Sequence, residues 1–317
     1  MSKIRYIGLI LLTAIGIYYF SHKRNELKQL MDLTLPQISA ASGFIILYFL
    51  IIGRKYKIIF SAFQVKLSTK EWFGLPQVIM LFNLIFFKSG TIANAYYLKK
   101  HHQLSYSRFI VGMGSQKLLD IFAASFLGFI FSLSLFIFLK INFYVVLIFC
   151  VLLLALIFIF LSPFINNKEY NSRVIKKVIE AIKLWNEFKQ NKAIIVKVIL
   201  YEIIAIFILG MRYYVVFNVL NNPVSIFDCV IISMLVSITG YVSIFPGNMG
   251  IREIVVGLSA YSLEYSFDYG VIATTLDRII ATIWLGIFGS IFFHSLHMKG
   301  YPKQSKIISD HLEMTKS

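Results

Sequence analysis

The stretch Phe245-Pro246-Gly247-Asn248-Met249-Gly250-Ile251-Arg252-Glu253 interrupts an apolar run that extends from 226 to 261. Proline lacks an amide proton and clashes with the preceding helical turn, and glycine adopts backbone angles closed to other residues, so one helix ends here. A second begins near Gly250. A helix that starts inside an apolar run presents unpaired N–H groups and the positive end of its dipole to its surroundings. Such an end suits a phosphate, and Arg252 beside it adds a bidentate donor. A plain turn between two helical arms accounts for Pro246 and Gly247, but not for the adjacent Arg252-Glu253 pair.

The rest of the chain has the same character. Of 317 residues, 58% are hydrophobic, 16% aromatic and 15% charged. Soluble domains carry roughly 45–50% apolar and about 25% charged residues. Apolar runs fall at about 4–20, 37–53, 72–98, 108–139, 142–162, 193–219, 226–261 and 269–297. Several are long enough for a hydrocarbon layer of about 30 Å. This composition excludes a soluble enzyme, a nucleic-acid module and a disordered tail, and it specifies a polytopic membrane protein. The run 4–20 lacks a small-residue cleavage site and reads as a retained span. Cys150 and Cys229 lie in apolar stretches and read as small core residues.

Charge orients the chain. The net charge is +16. The basic residues gather in 54–71, 99–108, 163–192 and the tail, as expected of cytoplasmic segments beside anionic headgroups. All four share one side only if 72–98, interrupted at Lys88-Ser89-Gly90, enters and leaves on that side, and 226–261 re-enters from the opposite one. The expected architecture is therefore all-α: six full spans plus two re-entrant broken-helix hairpins, with both termini cytoplasmic. Between the halves, Val174, Val178, Ile182, Trp185 and Phe188 fall at helical spacing, as in an amphipathic connector on the inner leaflet.

The two interrupted runs resemble each other. Ile85–Gly90, Leu104-Ser105-Tyr106-Ser107 and Lys117-Leu118-Leu119-Asp120 are matched by Ser243–Asn248, Leu263-Glu264-Tyr265-Ser266 and Asp277-Arg278-Ile279-Ile280. With a span before each, the halves form an inverted repeat: 37–139, a connector at 166–192, and 193–297, within a transmembrane domain of 1–298 followed by a tail of 299–317. Broken helices in inverted repeats are a transporter design. Ionisable groups at membrane depth are costly and need a reason. Lys117 and Asp120, at i,i+3, face each other on a helix. Arg252 and Glu253 cannot, nor can Asp277 and Arg278, which leaves the cross pairing Arg252 with Asp277 and Glu253 with Arg278. Asn83 and Asn94 flank the first break and either line a polar cleft or bond to backbone. The histidines read as interfacial side chains, and no residues sit at metal-ligand spacing, so neither a metal nor a cofactor is expected.

Pro246-Gly247-x-x-Gly250-x-x-Glu253, followed by Asp277-Arg278 in the last span, resembles the flippase-like transmembrane region of the lysylphosphatidylglycerol synthases. The resemblance covers about 4–297. In the first half the family's Pro-Gly-x-x-Gly-Glu turn is replaced by Lys88-Ser89-Gly90-Thr91-Ile92-Ala93-Asn94-Ala95, which lacks the carboxylate, while Lys117–Asp120 keeps an Arg-Leu-Leu-Asp-like pattern.

The resemblance implies movement of aminoacylated phospholipid between leaflets, with amino-acid transfer carried by a separate soluble domain. The expectation is a non-enzymatic flippase in a bacterial inner membrane, for a phospholipid (anionic or aminoacylated) or a polyprenyl-phosphate-linked glycan. A separately encoded lipid- or glycan-synthesising enzyme is its expected partner, and nucleic acid is not. Gly247, Asn248, Gly250, Arg252, Glu253, Asp277, Arg278, Lys117, Asp120 and Lys88 are the expected headgroup-binding residues. Two rivals are a membrane transferase using polyprenyl-phosphate sugars, with Glu253 or Asp277 as base, and a non-catalytic accessory protein of envelope assembly.

Overall fold

The computed structural model describes residues 34–86, 88–139, 143–161, 173–220, 224–240 and 246–298. The expected first span and the tail lie outside them. The described residues form helices α1 (Leu35–Ser61), α2 (Thr69–Ile85), α3 (Ser89–His102), α4 (Tyr106–Leu139), α5 (Phe143–Leu161), α6 (Arg173–Gln190), α7 (Lys192–Val219), α8 (Ile226–Thr239), α9 (Ile251–Ser262) and α10 (Phe267–Phe293). No strand occurs among them. Four stretches are long and apolar enough to cross a membrane: Leu35–Ser61, Tyr106–Ser134, Lys192–Val219 and Phe267–Leu296. Their outer faces are apolar, as in the exposed series Ile279, Ile283, Ile287 and Ile291 on α10. A hydrocarbon solvent, not water, suits such a stripe.

Both interrupted runs fold back on themselves. At the base of the first hairpin, Ser68 caps α2 and its N–H and hydroxyl each donate to Glu71 Oε2 at 2.8 Å. Glu71 Oε1 lies 3.0 Å from Tyr97 Oη and 2.7 Å from His102 Nε2, so the start of α2 meets the end of α3. Burial pushes the Glu71 carboxyl up, but the Ser68, His102 and Tyr97 bonds outweigh it and hold the group below its ordinary value. His102 thus has a structural partner in Glu71 at the base of this hairpin. At the base of the second hairpin, Ser225 Oγ donates to Asp228 Oδ2 at 2.7 Å and Tyr265 Oη to the same oxygen at 2.8 Å, joining the start of α8 to the turn after α9. Burial, then the Asp228 bond, raises the Tyr265 phenol.

The bases lie at opposite ends of the molecule. One apolar cluster joins Val65 and Leu67 after α1, Leu104 after α3, Leu184, Trp185 and Phe188 of α6, Val198 near the start of α7, and Leu296. Another joins Leu220 and Val224 after α7 with Ala260, Leu263 and Tyr265 at the base of the second hairpin. The basic segments 54–71, 99–108 and 183–192 therefore gather at the first end. There α6 docks its Leu184, Trp185 and Phe188 face on the protein itself, with the Phe188 ring 6.2 Å from that of Phe63.

The hairpin tips meet in the middle. A Cβ built on Gly247 lies 2.5 Å from Leu84 Cδ1 at the end of α2. One helix ends at Ile85 and the next starts at Ser89, so the first break falls two residues earlier than the Lys88-Ser89-Gly90 interruption suggests. Gly90 is needed for close approach, since a Cβ there would sit 2.3 Å from the Ile79 carbonyl oxygen. Asn83 Oδ1 accepts from the Gly90 N–H at 3.0 Å, and Asn94 Nδ2 donates to the Leu75 carbonyl at 2.8 Å. Asn83 thus serves an N–H of the first turn after the break, and Asn94 ties α3 to the middle of α2.

Around these hairpins the two halves pack in the same order. Helices α1 and α7 lie side by side and antiparallel, α2 packs on α1 as α8 packs on α7, and the long α4 and α10 each cross to the other half's hairpin, α4 onto α8 and α10 onto α2.

Candidate functional site

In the second break, Gly247 (φ 61°), Asn248 (φ 58°) and Gly250 (φ 83°) all take left-handed backbone angles. Three such residues in four reverse the chain sharply enough to start α9 at Ile251. Asn248 Nδ2 donates to the Thr239 carbonyl at 3.3 Å, tying the turn to the end of α8. The first turn of α9 is not empty: Glu253 Oε2 accepts from the Gly250 N–H at 2.8 Å. An anion arriving at this helix end meets that carboxylate, so it needs the nearby cations to outweigh it. Glu253 Oε1 lies 3.1 Å from Arg278 Nη1, and Arg278 Nη2 donates to the Asn248 carbonyl at 3.4 Å.

Deeper in, Asp277 of α10 is 1% exposed and binds two arginines. Arg212 of α7 grips it bidentately, Nε to Oδ1 at 2.9 Å and Nη2 to Oδ2 at 2.8 Å. Arg252 Nη2 donates to the same Oδ2 at 2.7 Å, and its Nε donates to Tyr213 Oη at 3.0 Å. The Arg212 guanidinium lies 5.3 Å from the centre of the Tyr48 ring on α1. The cross pairing of Arg252 with Asp277 and of Glu253 with Arg278 is therefore the one the fold adopts. Arg212 is nearly buried, with 4% of its side chain exposed, whereas Arg252, Glu253 and Arg278 keep 19%, 18% and 15%. The last three form the accessible edge of the network.

A second buried ionic group lies in the other half. Lys55 Nζ of α1 donates to Asp120 Oδ1 of α4 at 2.8 Å and to Glu202 Oε2 of α7. All three are buried. Asp120 thus turns inward to a cation on another helix, in addition to its electrostatic interaction with Lys117 on its own helix. Lys117 is exposed on α4, and Lys88 occupies the first break with a left-handed φ of 59°. The site residues read from the sequence accordingly divide: Gly247, Asn248, Gly250, Arg252, Glu253, Asp277 and Arg278 come together, Asp120 belongs to the second group, and Lys88 and Lys117 lie on the first half's hairpin and long helix.

Lys55, Glu202 and Arg212 are the network members missed as site residues. Lys55 follows the apolar run 37–53 and reads as the start of a basic loop, but α1 continues to Ser61 and carries it inside. One signal was available. Lys55 and Asp120 are 65 residues apart, and so are Arg212 and Asp277. Each half joins a cation on its first long helix to an aspartate on its last.

The fold and these paired charges define an all-helical, multi-pass membrane protein with an ionic interior. The family model described as the lysylphosphatidylglycerol synthase TM region matches residues 5–289, and the chain belongs to that family. No curated protein and no solved structure matches it.

Proposed function

We propose that this protein moves the headgroup of a lipid between the leaflets of a bacterial inner membrane, without chemical conversion, along a charged path between its two halves. The acyl or prenyl chains stay in the bilayer. The observation that carries the reading is the accessible edge Arg252–Glu253–Arg278, backed by the buried Arg212–Asp277 pair and set where the hairpin tips meet. The phosphate of a phospholipid or of a polyprenyl-linked glycan exchanges for Glu253 or Asp277 at Arg252 and Arg278, a charge-assisted contact of the kind guanidinium favours. Ionic groups of this density inside a membrane protein ordinarily mark a substrate path.

The reading includes six full spans and two re-entrant hairpins in an inverted repeat, with the basic end cytoplasmic. The clasps at opposite ends, the antiparallel α1 and α7, and the repeated 65-residue pairing support it. Midplane sites between inverted repeats built from broken helices recur in transporters that work by alternating access. A separately encoded enzyme supplies the lipid.

The test is leaflet exchange in proteoliposomes, with fluorescent phospholipids and a polyprenyl-phosphate lipid in separate samples. Wild type accelerates exchange of at least one lipid over empty liposomes, and Arg252→Ala with Arg278→Ala abolishes the acceleration. Equal exchange by both proteins refutes the site.

The accessory reading draws on one observation: Lys55 with Asp120 and Glu202, and Arg212 with Asp277, satisfy their charges within the protein. It predicts no exchange by the wild-type protein alone and co-purification with an assembly enzyme.

A further inference from the structure

The two ionic groups are matched in position but opposite in charge. In the second half the equally spaced pair Arg212–Asp277 is joined by a further cation, Arg252. Counting these three side chains the group has one positive charge in excess, and the Glu253–Arg278 pair beside it adds none. In the first half the pair Lys55–Asp120 is joined by a carboxylate, Glu202. One ammonium faces two carboxylates there, with side-chain exposures of 1%, 1% and 6%. Lys55 offsets only one of them, so with both carboxylates ionised the buried triad itself carries an excess negative charge, far costlier in a low-dielectric interior than in water, and Lys117 acts on it only from the exposed side of α4. Lys55 already donates to both, so it cannot supply a second positive charge.

We infer that Glu202 is a proton-binding site, and that its proton is carried together with the anionic headgroup taken up at Arg252 and Arg278. The inference rests on the proposed translocation. Its physical basis is electroneutrality. Helix α7 carries both Glu202 and Arg212, ten residues apart, or about 15 Å at the rise of an α-helix. With the path empty, the excess positive charge of the Arg212 group, about 15 Å away, offsets an ionised Glu202 only in part, so the proton is held at neutral pH but given up more readily than when the path is filled. A bound phosphate cancels that positive charge, and the first group then gains from taking up a proton. Water on one side delivers the proton to a Glu202 carboxylate oxygen. It leaves to water on the other side after the headgroup has gone, and no other bond changes.

Among the described residues, the charged and titratable groups that face the triad are few. Tyr48 of α1 lies between the two groups and interacts with Lys55, Glu202, Arg212 and Arg252. Lys117 of α4, one turn before Asp120, acts on Asp120 from the exposed side of that helix. The proton is therefore assigned to Glu202, which lies on α7, rather than to Asp120.

Two measurements test this on the full chain. The first is infrared difference spectroscopy of the purified protein between neutral and alkaline pH. A protonated-carboxyl C=O band that disappears at alkaline pH in wild type, and is missing from a monodisperse Glu202→Gln variant, is the expected result. A wild-type spectrum without the band, or a band unchanged in the variant, overturns the assignment whether or not the protein moves lipid. The second is leaflet exchange of phosphatidylglycerol in proteoliposomes under an imposed one-unit pH gradient. Wild-type exchange changes several-fold on reversing the gradient, up to about tenfold per unit, and Glu202→Gln loses the response. Exchange that ignores the gradient in wild type refutes coupling and leaves translocation standing. No exchange under any gradient refutes translocation, and coupling with it, while the infrared result still decides the proton site.

Discussion

Replacing Asp277 by alanine leaves two guanidinium groups with nothing between them. Arg212 and Arg252 both donate to Asp277 Oδ2, at 2.8 and 2.7 Å, so their nitrogens are held close together by the carboxylate they share. Without it they repel by about 3 kcal/mol at a separation of about 5 Å and an effective dielectric near 20. Arg212, with 4% of its side chain exposed, also loses both partners of a bidentate contact. Removing one member of a buried pair typically costs about 3–5 kcal/mol, in line with that repulsion. The expected result is a fall in the midpoint of thermal unfolding on the order of 10 °C in detergent or nanodiscs, read by loss of monodisperse protein. The effect is to be compensated by a second change: Asp277→Ala with Arg212→Met restores more than half of the loss, because it removes the charge stranded by the first. Exact additivity of the two substitutions, or a loss below about 1 kcal/mol for Asp277→Ala alone, refutes the claim that this carboxylate holds the two arginines together.

Gly90→Ala puts a methyl group 2.3 Å from the Ile79 carbonyl oxygen, a backbone atom that cannot move aside cheaply. It is expected to cost several kcal/mol and most of the folded yield, measured by fluorescence-detected size exclusion. Gly247→Ala meets both a left-handed φ of 61° and Leu84 at 2.5 Å, and costs less because Leu84 Cδ1 ends a flexible side chain; the same assay ranks it between wild type and Gly90→Ala. The Glu71 clasp gives a pH signature. Its carboxyl is held below the ordinary value when folded, so its stabilisation is present above the unfolded-state value near 4.5 and is lost as the pH falls through the lower folded value. Glu71→Gln should therefore melt below wild type at pH 7, with the difference shrinking towards the most acidic pH at which both stay folded; a pH-independent gap contradicts the clasp.

How much of this arrangement was legible in the sequence depended on how local the signal was. The breaks at 86–88 and 246–250 announce themselves through Lys-Ser-Gly and Pro-Gly inside apolar runs, because the residues that stop a helix act on their own turn. Adjacent charges cannot face one another on a helix, so Arg252-Glu253 and Asp277-Arg278 restrict each other's partners, and the pairing followed. The Lys55 triad was not legible in that way. Apolar periodicity fades after Gly53, and nothing nearby says that α1 persists to Ser61 and turns Lys55 inward while Arg54 stays outside over Trp72 at 4.4 Å. That decision is made by Asp120 and Glu202 on helices 65 and 147 residues away. The Lys55 contact of Asp120 stayed hidden for the same reason, since a lysine three residues off is a visible partner and a lysine on another helix is not. The clasps at Glu71 and Asp228 carry Ser-x-x-acid capping patterns, which fix the helix starts, but their tyrosine partners follow only from the folded hairpins.

The proposed path needs the two helical hairpins to enter the bilayer from opposite faces, with their tips touching as Gly247 and Leu84 do. Single cysteines at Gln103, in the turn after the first hairpin, and Glu264, in the turn after the second, test it directly. Both positions are exposed. In a background with Cys150 and Cys229 replaced, an impermeant maleimide applied to intact cells should label Glu264→Cys and spare Gln103→Cys, and inside-out vesicles should give the reverse. Labelling of both positions from the same side contradicts the account.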